Sequence, residues 1–291
     1  MNRRIIIIVG CIVASVFLFF IVTGKKKGVE RVSGGKRPVR QGKGAAVGRD
    51  NAPGLLSAEK LFALAQHQEG ENKLLKARES YEQILSLYPG YRNIEKAQKK
   101  LEEINVKIIF SPSVIGEDGK YYEVRPGDNL NKIARKFATT VGMIKRINGL
   151  KSDIIRPRMR LKIWTGKFSV LVDKSQNALM LKSGDKIVKT YTVATGKNNS
   201  TPVGKFKIVN KLVDPVWFKP GVAAVVPPTS PENALGSRWM GLDIPGYGIH
   251  GTRNNNSLGL QVTEGCIRLS NKDVEELYSI LPAGAEVEII D

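Results

Sequence analysis

The spacing of apolar positions changes along the chain, and each change predicts a different kind of element. An unbroken apolar run from Ile5 to Val22 follows Met1-Asn-Arg-Arg, close to the roughly 20 residues that cross a bilayer as one helix. Its Ile-Val-Thr-Gly ending is a poor cleavage site, so residues 1–24 are read as an uncleaved transmembrane helix, a membrane anchor. Residues 25–56 are mostly Gly, Lys, Arg and Val with scattered Pro, too polar to bury a core, which predicts a basic flexible linker. A helical period then takes over for residues 57–106. Ser57 caps a helix with Leu61, Leu64 and Ala65 on its apolar face; Leu74, Ala77, Tyr81, Ile84 and Leu85 form a second that stops at Pro89; Ile94, Ala97, Leu101 and Ile104 form a third.

Residues 120–165 read as strand, helix, helix, strand. Tyr121 to Val124 is extended, Pro126-Gly127-Asp128 is a turn, and Leu130, Ile133, Ala134 and Phe137 share the inward face of a helix over 129–137. Thr140 caps a second helix carrying Val141, Ile144 and Ile147, Asn148-Gly149 ends it, and Arg160 to Trp164 returns as a strand. From Phe168 the period becomes two. Phe168–Asp173, Ala178–Leu181, Ile187–Ala194 and Lys205–Val209 predict a mostly antiparallel sheet folded on itself. Ser270-x-x-Asp273 starts a single helix lined by Val274, Leu277, Tyr278 and Leu281, and Ala285 to Ile290 supplies a last strand. The class is therefore multidomain: an anchor, an α-helical segment, a small α+β module over 120–165 and a mostly β domain over 167–291.

Charge narrows the partners. A net charge of +19 over 291 residues calls for a polyanion: nucleic acid, an anionic membrane surface or an acidic wall polymer. No nucleic-acid module is present and the basic residues are spread through every segment, so nucleic acid is set aside. No Cys/His spacing suits a metal, and Cys11 and Cys266 are too differently placed to pair.

Candidate chemistry concentrates between Ile249 and Asn271. Cys266 can serve as a thiolate nucleophile, and His250 can take its proton and return it to a leaving amine. Gly265 permits a tight turn that aims the amides of Gly265 and Cys266 at a carbonyl oxygen, as an oxyanion hole requires. On these residues alone, a structural cysteine and a structural histidine are the commoner reading.

Resemblances supply the rest. Ala65, Ala77, Tyr81 and Pro89 fall at positions resembling a tetratricopeptide repeat, which implies one helical unit over 57–106 able to dock a protein partner. Tyr122-x-Val-x-x-Gly-Asp-x-Leu, Ile133-Ala134, Phe137, Ile144, Asn148 and Leu161-x-Ile163 resemble a LysM module along its full length. That likeness implies binding of N-acetylglucosamine-containing glycans by Gly127, Asp128, Asn129 and Leu130 in one loop and Ile154 and Ile155 in another.

Thr195-Gly-Lys, Thr201-Pro-Val-Gly-Lys-Phe, Leu235-Gly-Ser-Arg-Trp-Met, Ile249-His-Gly-Thr and Gly265-Cys-Ile-Arg-Leu-x-Asn occur in the order found in L,D-transpeptidases of the bacterial cell wall. The resemblance implies an enzyme without metal or cofactor that cuts a stem tetrapeptide before its terminal D-Ala and passes the acyl group to an amine acceptor. Cys266 is then the nucleophile and His250 the base. Arg268 is assigned to a stem carboxylate, with a buried structural salt bridge as the alternative, and Thr263, Gly251 and Trp239 complete the expected substrate contacts, with Tyr247 beside them. One departure stands out: Thr263-Glu264-Gly265-Cys266 replaces the common Ser-His-Gly-Cys. A carboxylate aimed at the thiol would suppress its ionisation, so Glu264 is expected to point away, toward Arg268 or Lys272.

The expected partner is peptidoglycan, as donor stem, acceptor amine and glycan strand. Lys25, Lys26 and Lys27 outweigh Arg3 and Arg4 and argue for a cytoplasmic bulk. The substrate overrides them and places residues 24–291 outside the cytoplasmic membrane, in the cell envelope. A non-catalytic wall-binding scaffold and an L,D-carboxypeptidase are the alternatives; papain-like endopeptidases place the cysteine before the histidine, opposite to the order here.

Overall fold

The computed structural model describes residues 56–219 and 225–291. The expected anchor over 1–24, and the expected linker up to residue 55, lie outside them. Among the described residues no helix is long and apolar enough to cross a membrane. The chain divides after Leu101 into two compact units.

In the first unit, α1 (Ala58–Gly70), α2 (Leu74–Leu87) and the start of α3 (Ile94–Phe110) follow the helical period. Ser57 accepts the Lys60 amide at 3.4 Å and so caps α1 as expected. Ala65, Ala77, Ala97 and Tyr81 are fully buried, and the Tyr81 ring meets Phe62 edge-on at 5.6 Å. Leu64, expected on the apolar face, is exposed; Ala58, Leu61, Phe62 and Ala65 form the buried stripe instead. The third helix runs on to Phe110, past the expected limit at 106.

The second unit opens with the last turns of α3 and a module of β1 (Gly119–Glu123), α4 (Leu130–Lys136), α5 (Val141–Asn148) and β2 (Arg160–Trp164). The two strands pair antiparallel with Tyr122 opposite Leu161. Asn129 and Thr140 cap the helices through the Lys132 and Met143 amides, each at 2.9 Å. Val124, Leu130, Ile133, Ala134, Ile144, Leu161 and Ile163 make the core. Lys162 of β2 is wholly buried, yet its ammonium has partners: the carbonyls of Ile108, Ile109 and Ser111 accept it at 3.2, 3.3 and 2.6 Å. Those are the carbonyls a helix C-terminus leaves unpaired, at its negative pole. Burial lowers the lysine pKa to about 8.

The largest part is an eight-stranded sheet with the order β13-β11-β10-β7-β14-β3-β4-β5. Its strands are β3 (Phe168–Asp173), β4 (Ala178–Ser183), β5 (Lys186–Thr192), β7 (Gly204–Val213), β10 (Arg238–Leu242), β11 (Gly248–His250), β13 (Ile267–Arg268) and β14 (Glu286–Ile290). Most neighbours run antiparallel; β14 with β3 and β11 with β13 are parallel. Short pairs β6 (Thr195–Gly196) with β12 (Gln261–Thr263), and β8 (Trp217–Phe218) with β9 (Val225–Val226), stand apart from it. Val170, Val172, Leu179, Leu181, Val287 and Ile289 share one face by register and are buried. The helix α6 (Asn271–Ile280) buries Val274, Leu277 and Ile280. Ser270 caps it, accepting the Asp273 amide at 3.1 Å and donating to the Asp273 carboxylate at 2.6 Å.

Side chains from outside the sheet finish its edge and fix the small module to it. Strand β5 ends the sheet, and an edge strand leaves backbone groups unpaired. Asn105 donates to the Ile187 and Val188 carbonyls at 3.2 and 3.3 Å, and the Thr190 amide donates to Glu102 at 3.1 Å. Thr140 donates its hydroxyl to the Ser279 carbonyl at the end of α6. Glu276 of α6 accepts from Lys189 at 2.8 Å and Tyr191 at 2.7 Å, with Arg146 of α5 at 3.9 Å. Burial pushes the Glu276 carboxyl pKa up, but these donors outweigh it and hold it below its ordinary 4.5.

A carboxyl with a depressed folded-state pKa stabilises the protein above its unfolded pKa, and that contribution disappears as pH falls through the folded value. Glu276→Gln is therefore expected to cost about 2 kcal/mol at pH 7. The gap in thermal midpoint between wild type and variant should close as calorimetry is repeated below the ordinary glutamate range. A gap independent of pH would remove the charged pairs from the account.

Candidate active site

Register builds this site before any side-chain contact is considered. β11 runs parallel to β13 with Ile249 opposite Ile267 and His250 opposite Arg268, which sets Gly248 beside Cys266. β11 also pairs antiparallel with β10, where Trp239 faces His250. Because side chains alternate across a sheet, Ile249 and Ile267 turn into the core, where they are buried. His250, Arg268 and Trp239 emerge on the other face, with Cys266 diagonal to His250.

Two hydroxyl groups hold the turn that carries Cys266. Thr263 accepts the Gly265 amide at 3.2 Å and donates to the Cys266 carbonyl at 2.7 Å. Thr201, buried, accepts the Gly196 amide at 2.7 Å and donates to the Gly265 carbonyl at 2.9 Å. Gly265 has φ +131°, and a Cβ there would lie 2.6 Å from the Tyr247 ring, so only glycine fits.

His250 is held in one orientation and one tautomer. Its Nδ1 lies 2.7 Å from the Gly251 carbonyl, which can only accept, so the proton sits on Nδ1 and Nε2 keeps its lone pair. Trp239 stacks on the imidazole, with ring centroids 6.0 Å apart and planes 22° from parallel. The indole is pinned in turn by Asn210, which accepts from Trp239 Nε1 at 3.1 Å. Gly248 makes room for it: a Cβ at that position would be 2.6 Å from the indole. Burial, helped by the charge of Arg268, outweighs the Gly251 and Leu235 carbonyls and brings the His250 pKa down to about 4.

The thiol is neutral at rest as well. Burial pushes its pKa up, against the opposing pull of the Gly248 amide and Arg268. Its hydrogen is directed at the Gly246 carbonyl, with Sγ 3.5 Å from the oxygen. Arg268 is half-buried beside it, its Nε buried without a hydrogen-bond partner, and among the described residues no carboxylate forms an ion pair with it. The expected alternative of a structural salt bridge for Arg268 is therefore corrected.

The other residues expected at the site all have partners inside the protein. Thr263 uses its hydroxyl within the turn, and Gly251 is buried and supplies the carbonyl behind His250. Trp239 belongs to His250 in the same way. Of the two amides expected to form an oxyanion hole, that of Gly265 donates to Thr263 at 3.2 Å. Glu264 does point away from the thiol, but its partner is Lys197 at 2.8 Å, not Arg268 or Lys272. Thr201, Gly248, Asn210 and Asn271 were not anticipated. Asn271 accepts the Ser237 amide at 3.0 Å and so ties α6 to the start of β10. Thr201 and Asn271 lie inside motifs quoted above, which was the available signal; Asn210 carried none.

In the small module, sequence reasoning assigned six residues to a glycan groove. Leu130 is 2% exposed and belongs to the core, and Ile155 packs against that core. Asn129 caps α4 through its side-chain oxygen. Asp128 accepts Tyr122 Oη at 2.7 Å and the Arg125 amide at 2.9 Å, and these bonds hold its carboxyl below the usual range. Gly127 turns the chain at φ +82°, its carbonyl accepting from Lys132 at 2.7 Å. Of the apolar residues among the six, Ile154 is the one that is largely exposed, at 74%.

Comparison with known proteins agrees with this anatomy. Residues 167–289 match the L,D-transpeptidase catalytic domain, and residues 122–164 match the LysM domain. YkuD of Bacillus licheniformis, named as an L,D-transpeptidase, is 37% identical over 177 residues, 58% of this chain and 97% of that protein. YkuD of Bacillus subtilis, similarly named, is 34% identical over 176 residues with the same coverage. YqjB of Bacillus subtilis, also so named, is 39% identical over 128 residues, 42% of this chain and 70% of its own length. The chain belongs to the L,D-transpeptidase family, as a cell-envelope enzyme that carries a LysM domain beside its catalytic domain.

Proposed function

We propose that Cys266 and His250 carry the L,D-transpeptidase reaction, with Arg268 holding a carboxylate of the donor stem peptide. One observation carries the reading: His250 is buried, bound through Nδ1 to the Gly251 carbonyl, and set by register on the same sheet face as the Cys266 thiol. A neutral imidazole with a free Nε2 is a base, and a neutral thiol is its substrate. Proton transfer from Sγ to Nε2 thus accompanies attack on the carbonyl that precedes the terminal D-Ala. The tetrahedral oxygen takes a hydrogen bond from the Cys266 amide. The imidazolium then protonates the departing D-Ala amine, leaving a thioester and restoring a neutral His250. An amine acceptor resolves the thioester; attack by water would make the same site a carboxypeptidase.

Arg268 fits the donor because its guanidinium is charged, partly desolvated and without an anionic partner in the described residues. A substrate carboxylate would supply both charge and hydrogen-bond acceptors. The exposed Ile154 supports an apolar contact with a glycan strand in the LysM domain.

The sequence supports a wider organisation: an anchor over 1–24, a linker over 25–56, a helical docking segment over 57–106, the LysM module over 120–165 and the catalytic domain over 167–291. The unbroken apolar run from Ile5 to Val22 motivates the anchor, and the need to reach peptidoglycan motivates the outside location. A reporter fused after Asp291 should be active only outside the cytoplasm; activity confined to the cytoplasm would overturn this placement.

The donor half-reaction is tested with tetrapeptide muropeptides. Wild type should release D-Ala and Cys266→Ala should not, while His250→Gln should lose about a thousandfold in rate. Equal release by Cys266→Ala would sink the assignment. Because His250 acts as a neutral base, kcat/KM for D-Ala release should hold steady as pH falls through 6 and decline only near its pKa of about 4. A decline centred near the ordinary histidine value of 6.5 would place a solvated imidazole in the site. Gly248→Ala should slow the reaction with little change in donor KM, since the added methyl displaces the Trp239 ring that holds His250; kinetics on the purified variant reads the split.

A further inference from the structure

Strand β12 pairs parallel with β6, with Gln261 opposite Thr195 and Thr263 opposite Gly196. The residue just past the end of each strand carries a charge, and the two meet: Glu264 Oε1 lies 2.8 Å from Lys197 Nζ. Both are exposed, at 76% and 55% of their side-chain surface. Beneath them the strands are in close contact, since a Cβ on Gly196 would lie 3.0 Å from the Gly265 Cα. The ion pair therefore sits on the rim of the turn that holds the nucleophile, two residues before Cys266. It does not act on the thiol, whose charged neighbour is Arg268.

Glu264 places an outward-facing carboxylate beside the nucleophile in a chain of net charge +19. The catalytic sulfur needs no anion beside it, and the donor is already matched by Arg268. The acceptor has the opposite need: its amine arrives in water as an ammonium, repelled by the rest of the protein. We propose that Glu264 is the docking carboxylate for the acceptor ammonium, and that Lys197 occupies it until the acceptor displaces it. An exposed pair of this kind is weak and screened, so exchanging one ammonium for another costs little. The inference rests on the proposed function, since it presupposes a thioester on Cys266.

The protons balance as follows. Glu264 binds the ammonium, which loses one proton to solvent to become a nucleophile. The amine nitrogen then attacks the thioester carbonyl and forms the amide as the C–S bond breaks. Its second proton passes to His250 and from there to the Cys266 sulfur, which returns to the neutral thiol.

The test follows both half-reactions on one set of full-length variants, with a tetrapeptide donor and two acceptors: a diamino-acid-containing stem peptide, and hydroxylamine, which is uncharged at neutral pH. Glu264→Gln should raise the KM for the peptide acceptor about fivefold. Under the same substitution D-Ala release and resolution by hydroxylamine should change less than twofold. Lys197→Ala should move the peptide-acceptor KM the other way, downward, because it frees the carboxylate. A merely structural pair would shift both variants in the same direction. Equal acceptor KM in wild type and Glu264→Gln overturns the proposal alone, and so does a parallel loss with hydroxylamine. Failure of the wild type to release D-Ala from the donor overturns the reading of the site, and this inference with it.

Discussion

Neutrality of His250 governs how the catalytic site is built. An imidazole buried this deeply can act as a base only if nothing nearby charges it in advance and if its lone pair is left free. The structure meets both conditions by using backbone where a side chain would be disruptive. A carbonyl from Gly251 fixes the tautomer without adding a charge, Trp239 covers the ring, and Gly248 yields the space the indole needs. A carboxylate in place of the carbonyl would raise the imidazole pKa and leave it protonated, unable to accept the thiol proton.

Placement of the nucleophile follows a related logic. The Gly265–Cys266 peptide belongs to a turn that no regular ladder could hold, so Thr201 and Thr263 satisfy its polar groups from behind. Each hydroxyl both accepts and donates, which leaves neither with a proton to donate to substrate. In the proposed reading, the charges that meet substrate are Arg268 and the Glu264–Lys197 pair. Donor and acceptor would thus be separated by charge type, a cation for the stem carboxylate and an anion for the incoming ammonium.

The LysM module is not loosely strung from the catalytic sheet. Glu276 gathers Lys189, Tyr191 and Arg146, Thr140 reaches the Ser279 carbonyl, and Lys162 closes the end of α3. Lys162 is buried and charged, and Glu276 is half-buried with its donors, where breaking one partner costs more than the pair contributes. Such a junction resists separation, and it holds the sugar-binding module in one orientation to the transferase.

Elements with a strong local signal were legible from residues alone. The helix caps at Ser57, Thr140 and Ser270, the LysM core and the strands β3, β4, β5, β7 and β14 follow from capping chemistry and from periods of 3.6 and two, which are properties of adjacent residues, whereas the short strands β10, β11 and β13 carried no such signal. Cys266 and His250 were legible because reactive side chains are chemically distinct and lay in ordered motifs. What sequence could not determine was which polar groups would already be spent. Thr263, Gly251 and Trp239 stand in motifs expected to meet substrate, yet each has a partner inside the protein. Glu264 shows the same limit from the other side, since its partner Lys197 lies in a turn 67 positions away. Local pattern specifies an element, whereas the partner of a side chain depends on strand order and register, which arise only when distant segments pack together.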